Sequence, residues 1–127
     1  MSMRNFVMTV MVVFMTMFQL NTAFASAKFA DVPSTNGAYE EISYLVNAGV
    51  IKGYTEKGKQ LYKPNAPVTR GQAAKMVVVA TKNKPLTVQK SSFSDVTVGT
   101  ELSGYVESAV KLGFISEQSK GKFGPNT

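Results

Sequence analysis

The sequence contains no cysteine, no histidine and no tryptophan. Without cysteine it has no disulfide framework and no thiolate metal site. With neither cysteine nor histidine, it cannot build a Ser-His-Asp triad, a Cys-His nucleophile or an imidazole-ligated metal centre. Carboxylates offer no substitute, because the neighbours Glu40 and Glu41 would point about 100° apart on a helix. No glycine-rich phosphate loop occurs either. The composition therefore predicts a protein that is not an enzyme, with no catalytic residues, no metal and no cofactor.

Long apolar runs are also scarce. The longest, residues 6–18, is interrupted only by threonine and is shorter than the roughly 20 residues that a membrane span needs. It follows a single positive charge, Arg4, and precedes the small-residue pattern Ala23-Phe24-Ala25. This layout is typical of a secretory signal peptide cleaved after Ala25. Residues 1–25 are therefore predicted to contact the membrane only transiently, during export; an uncleaved anchor is the alternative.

Acidic residues are outnumbered by basic ones, 8 against 14, which gives a net charge of +6. An exported basic domain suits an anionic polymer such as a cell-wall polysaccharide, a teichoic acid or lipid headgroups. No run of Lys and Arg interleaves with aromatic residues. We therefore expect no nucleic acid partner.

An internal repeat occupies the chain after residue 28. The segment Phe29-Ala30-Asp31-Val32 recurs as Phe93-Ser94-Asp95-Val96, and at the same offset Gly49-Val50-Ile51 recurs as Gly113-Phe114-Ile115. Further on, Leu61-Tyr62-Lys63-Pro64-Asn65 is echoed by Lys122-Phe123-Gly124-Pro125-Asn126. Three matches in one order indicate stacked units that share a core. The predicted organisation is a first repeat over 26–85, a linker over 86–92 and a second, truncated repeat over 93–127.

Apolar periodicity predicts three short helices joined by long loops, hence an all-α fold. The first covers 38–48 and ends at Gly49. The second covers 69–81, and the third covers 104–112 and ends at Gly113. Their predicted inner faces are, in order, Tyr39, Ile42, Leu45 and Val46; Ala73, Met76, Val77 and Ala80; and Val106, Ala109 and Val110. Residues 51–64 and those after 115 are expected to be loop. Because the second repeat stops before its second helix, we expect part of the third helix's apolar face to be uncovered.

The segment 63–72 carries the most specific local signal. Thr69 and Gln72 have the spacing of a capping box, which would start the second helix with Arg70 in its first turn. The helix dipole disfavours a cation at that place, so helix stability does not explain the arginine. Beside free backbone N–H groups, Arg70 is a candidate to hold an anion. The alternative is a solvated surface residue.

These residues resemble the S-layer homology family. Its repeat reads F-x-D-V, a helix ending in G-[IV]-I, a G-Y loop, then P-N-x-P-[IV]-T-R and a second helix. The first copy matches at Phe29, Asp31, Val32, Tyr39, Ile42, Leu45, Gly49, Val50, Ile51, Gly53, Tyr54, Pro64, Asn65, Pro67, Val68, Thr69 and Arg70. The second matches at Phe93, Asp95, Val96, Tyr105, Val106, Gly113, Ile115, Gly121, Phe123, Pro125 and Asn126.

The resemblance implies a pseudo-threefold helical prism when three repeats are present, here incomplete. It also implies a non-catalytic module that anchors a secreted protein in the cell wall or S-layer of a Gram-positive-type bacterium. The implied partner is an anionic, pyruvylated secondary cell-wall polysaccharide, with further repeats in cis or in trans as a second kind of partner. The implied glycan-binding residues are Arg70, Gly53, Tyr54 and Asp31. The resemblance implies that Arg70 is the cation for the acidic sugar group and that Gly53 allows close approach to the backbone; for Asp31 the alternative is a structural role in a turn. Two functional alternatives stay open: the targeting fragment of a larger S-layer protein or surface enzyme, and a structural remnant that binds no glycan.

Overall fold

A computed structural model of the chain describes residues 29–127. The predicted signal peptide, residues 1–25, lies outside the described residues. In order, the elements are helix α1 (Tyr39–Asn47), strands β1 (Tyr54–Glu56) and β2 (Lys59–Leu61), helix α2 (Arg70–Ala80) and helix α3 (Ser103–Lys111). Among these residues, no helix is long and apolar enough to cross a membrane.

Helix α1 follows the sequence prediction closely. Ile42 is buried, and Tyr39 and Val46 pack against it from the same face. The helix is followed by Ala48 and then Gly49, whose φ of +72° is the left-handed conformation expected just past a helix end. The predicted first helix and its glycine stop are confirmed.

The segment between α1 and α2 differs from the prediction. Strands β1 and β2 pair antiparallel, with Glu56 opposite Lys59. The two residues between them, Lys57 and Gly58, have φ of +48° and +74°. Two left-handed residues in succession make the tight turn that suits the right-handed twist of a hairpin. Residues 51–64 are therefore not all loop, and three helices with one hairpin do not by themselves establish the expected all-α class or threefold prism.

Helix α2 begins with the predicted capping box. The Thr69 hydroxyl accepts a hydrogen bond from the Gln72 N–H at 3.3 Å, and the Gln72 side chain accepts one from the Thr69 N–H at 3.0 Å. The predicted inner face, however, is mostly wrong: of its four residues Val77 packs against the core, and none is fully buried. The buried residues are Gly71, Ala74 and Val78, whereas Ala80 is exposed. Apolar residues lie on all sides of this helix, so no stripe dominates and tertiary packing decides which face is inside.

Helix α3 packs against α2. Val106 and Ala109 are fully buried, and Val110 packs beside them, as predicted. The structure therefore corrects the expectation that α3 lacks cover, because α2 of the first repeat covers it. The C-terminal core formed in this way consists of Ala74, Val78, Phe93, Val96, Val106, Ala109 and Phe123.

A smaller N-terminal core contains Phe29, Val32 and Ile42. No helix among the described residues covers α1 as α2 covers α3. Tyr44 on α1 is 65 % exposed, while Ser108, at the matching position of α3, is buried. The repeat thus closes its core with a helix from the neighbouring repeat, and α1 is the helix left open.

Candidate functional site

A groove of about 390 Å³ separates the two repeats. Its near wall is formed by the loop that follows α1, the hairpin, the 62–68 loop and α2. Its far wall is the turn before α3. The lining residues used below are Lys52, Gly53, Tyr54, Lys63, Gln72, Lys75 and Glu101. The groove is therefore lined by both repeats, mainly by the first, with Glu101 and Leu102 contributed by the second.

The electrostatics of the groove are dominated by three lysines from three different segments. Lys75 on α2 is largely enclosed, with its side chain 17 % exposed and its ammonium 5.7 Å from the centre of the Tyr105 ring. Its Nζ lies 2.5 Å from Glu101 Oε1, and Lys52 Nζ lies 4.0 Å from the same oxygen. These two lysines hold the pKa of Glu101 below its ordinary value, chiefly through the hydrogen bond from Lys75. The groove is suited to an anion.

Tyr54, one of the predicted site residues, forms part of the groove wall. Its hydroxyl accepts a hydrogen bond from Gln72 Nε2 at 3.2 Å. The Lys63 ammonium lies 4.9 Å from the centre of its ring and is paired with Glu56. Tyr54 therefore presents a fixed aromatic face beside two donors; its role in glycan binding stays a prediction.

Gly53 also lines the groove, at a φ of +68°. A Cβ at this position would lie 2.4 Å from Phe29 Cε1 and 2.6 Å from the Leu61 carbonyl oxygen. The missing side chain therefore lets the N-terminal core and the hairpin close on each other. This packing requirement explains the glycine without any ligand.

Arg70 does not line the groove. Its Nε donates to the Phe123 carbonyl at 2.9 Å and its Nη2 to the Ser116 carbonyl at 2.6 Å, and its guanidinium lies 4.8 Å from the centre of the Phe123 ring. The backbone N–H groups of Arg70 and Gly71 donate to the carbonyls of Thr127 and Pro125. The expectation of free backbone donors at this helix end is wrong, because the second repeat occupies them. Arg70 joins the two repeats, and a contact with glycan stays a prediction.

Replacing Arg70 with alanine should reduce the free energy of unfolding by about 1.5–3 kcal/mol, since it removes two hydrogen bonds from a charged group, one of them to the partly buried carbonyl of Phe123. Arg70→Lys should recover part of the lost free energy, because lysine keeps the positive charge but lacks the planar guanidinium that donates to two carbonyls at once. Urea denaturation followed by circular dichroism measures both. The exposed Lys90→Ala is the control. Equal midpoints for Arg70→Ala and Lys90→Ala would refute the joining role.

Asp31 ties its own repeat together. Its carboxylate accepts hydrogen bonds from the N–H groups of Tyr62 at 2.8 Å and Lys63 at 2.7 Å. Asp95 makes the same pair of bonds to Phe123 and Gly124, at 2.9 and 2.8 Å. Because the two repeats share this clamp, the structural alternative for Asp31 has direct geometric support. Asp31 does not line the groove.

The clamps predict a loss of stability in acid. Backbone N–H groups, first those of Tyr62 and Phe123, lower the pKa of Asp31 and Asp95 below the ordinary value. The stabilisation is therefore full above the unfolded pKa of about 4 and is lost as the pH falls through the lower folded pKa.

Thermal melts between pH 7 and pH 2 measure this loss. The double variant Asp31→Asn, Asp95→Asn should melt lower at pH 7 and lose less on acidification than the parent. An acid-induced fall as steep in the double variant as in the parent contradicts the assignment.

Sequence reasoning missed Lys52, Lys75, Gln72 and Glu101. They lie on separate segments with no common spacing, so no local pattern groups them. Only the packing of α2 on the second repeat brings Lys75 to Glu101. A basic composition was the one available signal, and it does not say which lysines converge.

Comparison with known proteins agrees with the repeat. The family model of the S-layer homology domain matches residues 28–74 and 92–127. The chain is 33 % identical over 105 residues to the S-layer protein sap of Bacillus anthracis, and 32 % identical over 105 residues to an S-layer protein of Bacillus thuringiensis subsp. finitimus. Each match covers 82 % of this chain and 12 % of the relative, so the chain spans about an eighth of the length of these relatives. No solved structure matches significantly. Since the family model covers most of the chain, in the two segments that carry the repeated residues, the chain belongs to the S-layer homology domain family.

Proposed function

We propose that this chain is a non-catalytic cell-surface anchoring module that binds an anionic secondary cell-wall polysaccharide in the groove between its repeats. The observation that carries the proposal is the convergence of Lys52, Lys63 and Lys75 on one groove. Family membership and the S-layer relatives support the surface role.

The groove chemistry favours a sugar acid over a simple polyanion. The Tyr54 ring offers an apolar face on which a sugar ring can pack. Around it, Gln72 and the lysines supply donors for hydroxyl and carboxylate oxygens. A pyruvylated terminal sugar combines these features, and it is the ligand we propose. Arg70 and Asp31 act indirectly in this proposal, by holding the repeats that shape the groove.

The location follows from the same proposal. Residues 1–25 would direct secretion, and the remainder would be retained in the wall or S-layer of a Gram-positive-type bacterium. Because the relatives are far longer than this chain, we also propose that it works as the targeting part of a larger S-layer protein. A structural remnant without glycan binding is the competing possibility.

Further repeats are the second proposed kind of partner. Helix α3 is covered by α2, whereas the equivalent face of α1 presents Tyr44 to solvent. A helix from another repeat, in cis or in trans, would bury Tyr44 as α2 buries the face of α3.

The test uses the exported chain and walls purified from an S-layer-forming Bacillus. We expect the chain to pellet with intact walls and not with walls from which the secondary polysaccharide has been extracted. Tyr54→Ala should weaken pelleting roughly fivefold to tenfold, for the loss of about 1–1.4 kcal/mol of ring packing.

The matched control is Tyr44→Ala, which removes an exposed tyrosine on α1, outside the groove. It should pellet like the parent. Equal binding by extracted and intact walls would refute polysaccharide as the ligand, and equal weakening by the two tyrosine variants would refute the groove.

A further inference from the structure

The ion pair at the far side of the groove is asymmetric. The Lys75 side chain is 17 % exposed, whereas that of its partner Glu101 is 65 % exposed. Lys75 is fixed by its place on α2 and by the Tyr105 ring, and Glu101 sits on the turn before α3. The cation therefore belongs to the built wall, and the carboxylate reaches it from the solvent side.

Nothing else among the described residues holds the Glu101 carboxylate. Its hydrogen bond is to Lys75, and its second ion-pair partner is the exposed Lys52. Because the Glu101 side of this ion pair is exposed, water can satisfy its carboxylate nearly as well as Lys75 does. A carboxylate on a ligand could therefore take the same place on Lys75 and Lys52 without creating an unpaired buried cation.

Resting on the proposed function, we propose that Glu101 is an internal competitor for the acidic group of the glycan. In the free protein it occupies the lysine pair, and the ligand carboxylate displaces it into solvent. A neutral glycan has no carboxylate to take the place of Glu101, so it leaves the Lys75–Glu101 pair intact and is little affected by it. Glu101 is therefore a specificity-determining residue that lowers the affinity for acidic ligands and reduces the preference for acidic over neutral glycan.

The opposite role has a different signature. If Glu101 accepted hydrogen bonds from sugar hydroxyls, its removal would weaken binding. If it acted only through the net charge of the protein, removing any exposed carboxylate would have the same effect. Glu40 on α1 is exposed and lies outside the groove, so Glu40→Gln is the charge-matched control.

The experiment measures binding of the chain to the purified acidic wall polysaccharide, and to the same polysaccharide after its carboxylates have been reduced to alcohols. Glu101→Gln should bind the acidic form roughly fivefold to tenfold more tightly than the parent. For the reduced form the gain in affinity should be much smaller, so that the preference for acidic over neutral glycan is larger in Glu101→Gln than in the parent. Glu40→Gln should differ from the parent by less than about twofold, as expected for a distant, screened charge. Circular dichroism and melting temperature confirm that each variant is folded, and Glu101→Ala provides a second variant.

Weaker or unchanged binding of the acidic polysaccharide by Glu101→Gln overturns the competitor role while leaving the proposed function standing. An equal gain on acidic and reduced polysaccharide, or an equal gain in Glu40→Gln, also overturns it. If neither the parent nor Glu101→Gln binds the acidic polysaccharide, the proposed function fails, and the competitor role fails with it.

Discussion

Replacing Phe123 with alanine should cost about 3–5 kcal/mol of unfolding free energy, the usual effect of truncating a fully buried phenylalanine. Phe123 has no exposed surface and lies at the centre of the C-terminal core. Its ring centre is 5.8 Å from that of Phe93 and 4.8 Å from the Arg70 guanidinium. Small domains are typically stable by about 5–15 kcal/mol, so this variant should be close to unfolding.

Phe114→Ala is the matched control, because it removes the same side chain where it is 39 % exposed. We expect it to cost about 1 kcal/mol or less, as partly exposed positions usually do. Urea denaturation followed by circular dichroism compares the two midpoints. Similar midpoints would mean that the second repeat is not packed around Phe123.

The C-terminal core around Phe123 is shared between the two repeats. Phe123 belongs to the second repeat by sequence, yet Ala74 and Val78 of its core come from α2 of the first. The N-terminal end of α2 is also hydrogen-bonded to the second repeat, because the Arg70 side chain donates to the Phe123 carbonyl and the Gly71 N–H donates to the Pro125 carbonyl. Loss of Phe123 should therefore destabilise α2 together with α3, so the two helices should melt in one transition.

Local features of the fold could be predicted from the sequence. The capping box at Thr69 and Gln72 and the glycine stops at Gly49 and Gly113 depend on residues a few positions apart. Ile42 and Val106 are also predicted, because α1 and α3 each have one apolar stripe.

Long-range features could not be predicted in this way. The inner face of α2 is ambiguous in the sequence, since Ala73, Ala74, Val77 and Val78 could each face inward, and only contact with α3 selects among them. The sequence alone marks Arg70 as unexplained by helix stability, because the helix dipole disfavours a cation in the first turn. Its partners, the carbonyls of Ser116 and Phe123, lie about 50 residues away and have no sequence signature.

The sequence and the structure explain the glycine at position 53 in different ways. The family resemblance implies that the glycine lets a ligand approach the backbone, while the structure shows Phe29 and the Leu61 carbonyl already filling the space around it. To decide between the two explanations, the loss of stability caused by the left-handed backbone conformation must be measured separately from the loss caused by close packing.

Gly53→Ala should cost about 2–4 kcal/mol, from a left-handed residue with a Cβ and from overpacking against a backbone carbonyl that cannot rotate away. Gly58→Ala is the matched control, because Gly58 has nearly the same φ, +74° against +68°, and no atom within 4 Å of its added Cβ. It should cost only the conformational part, about 1–2 kcal/mol. Thermal and urea denaturation of the two variants isolates the packing contribution as their difference. If both variants unfold at the same midpoint, the close approach at Gly53 contributes nothing to stability. In that case, weaker glycan binding by Gly53→Ala alone would favour the ligand-approach explanation.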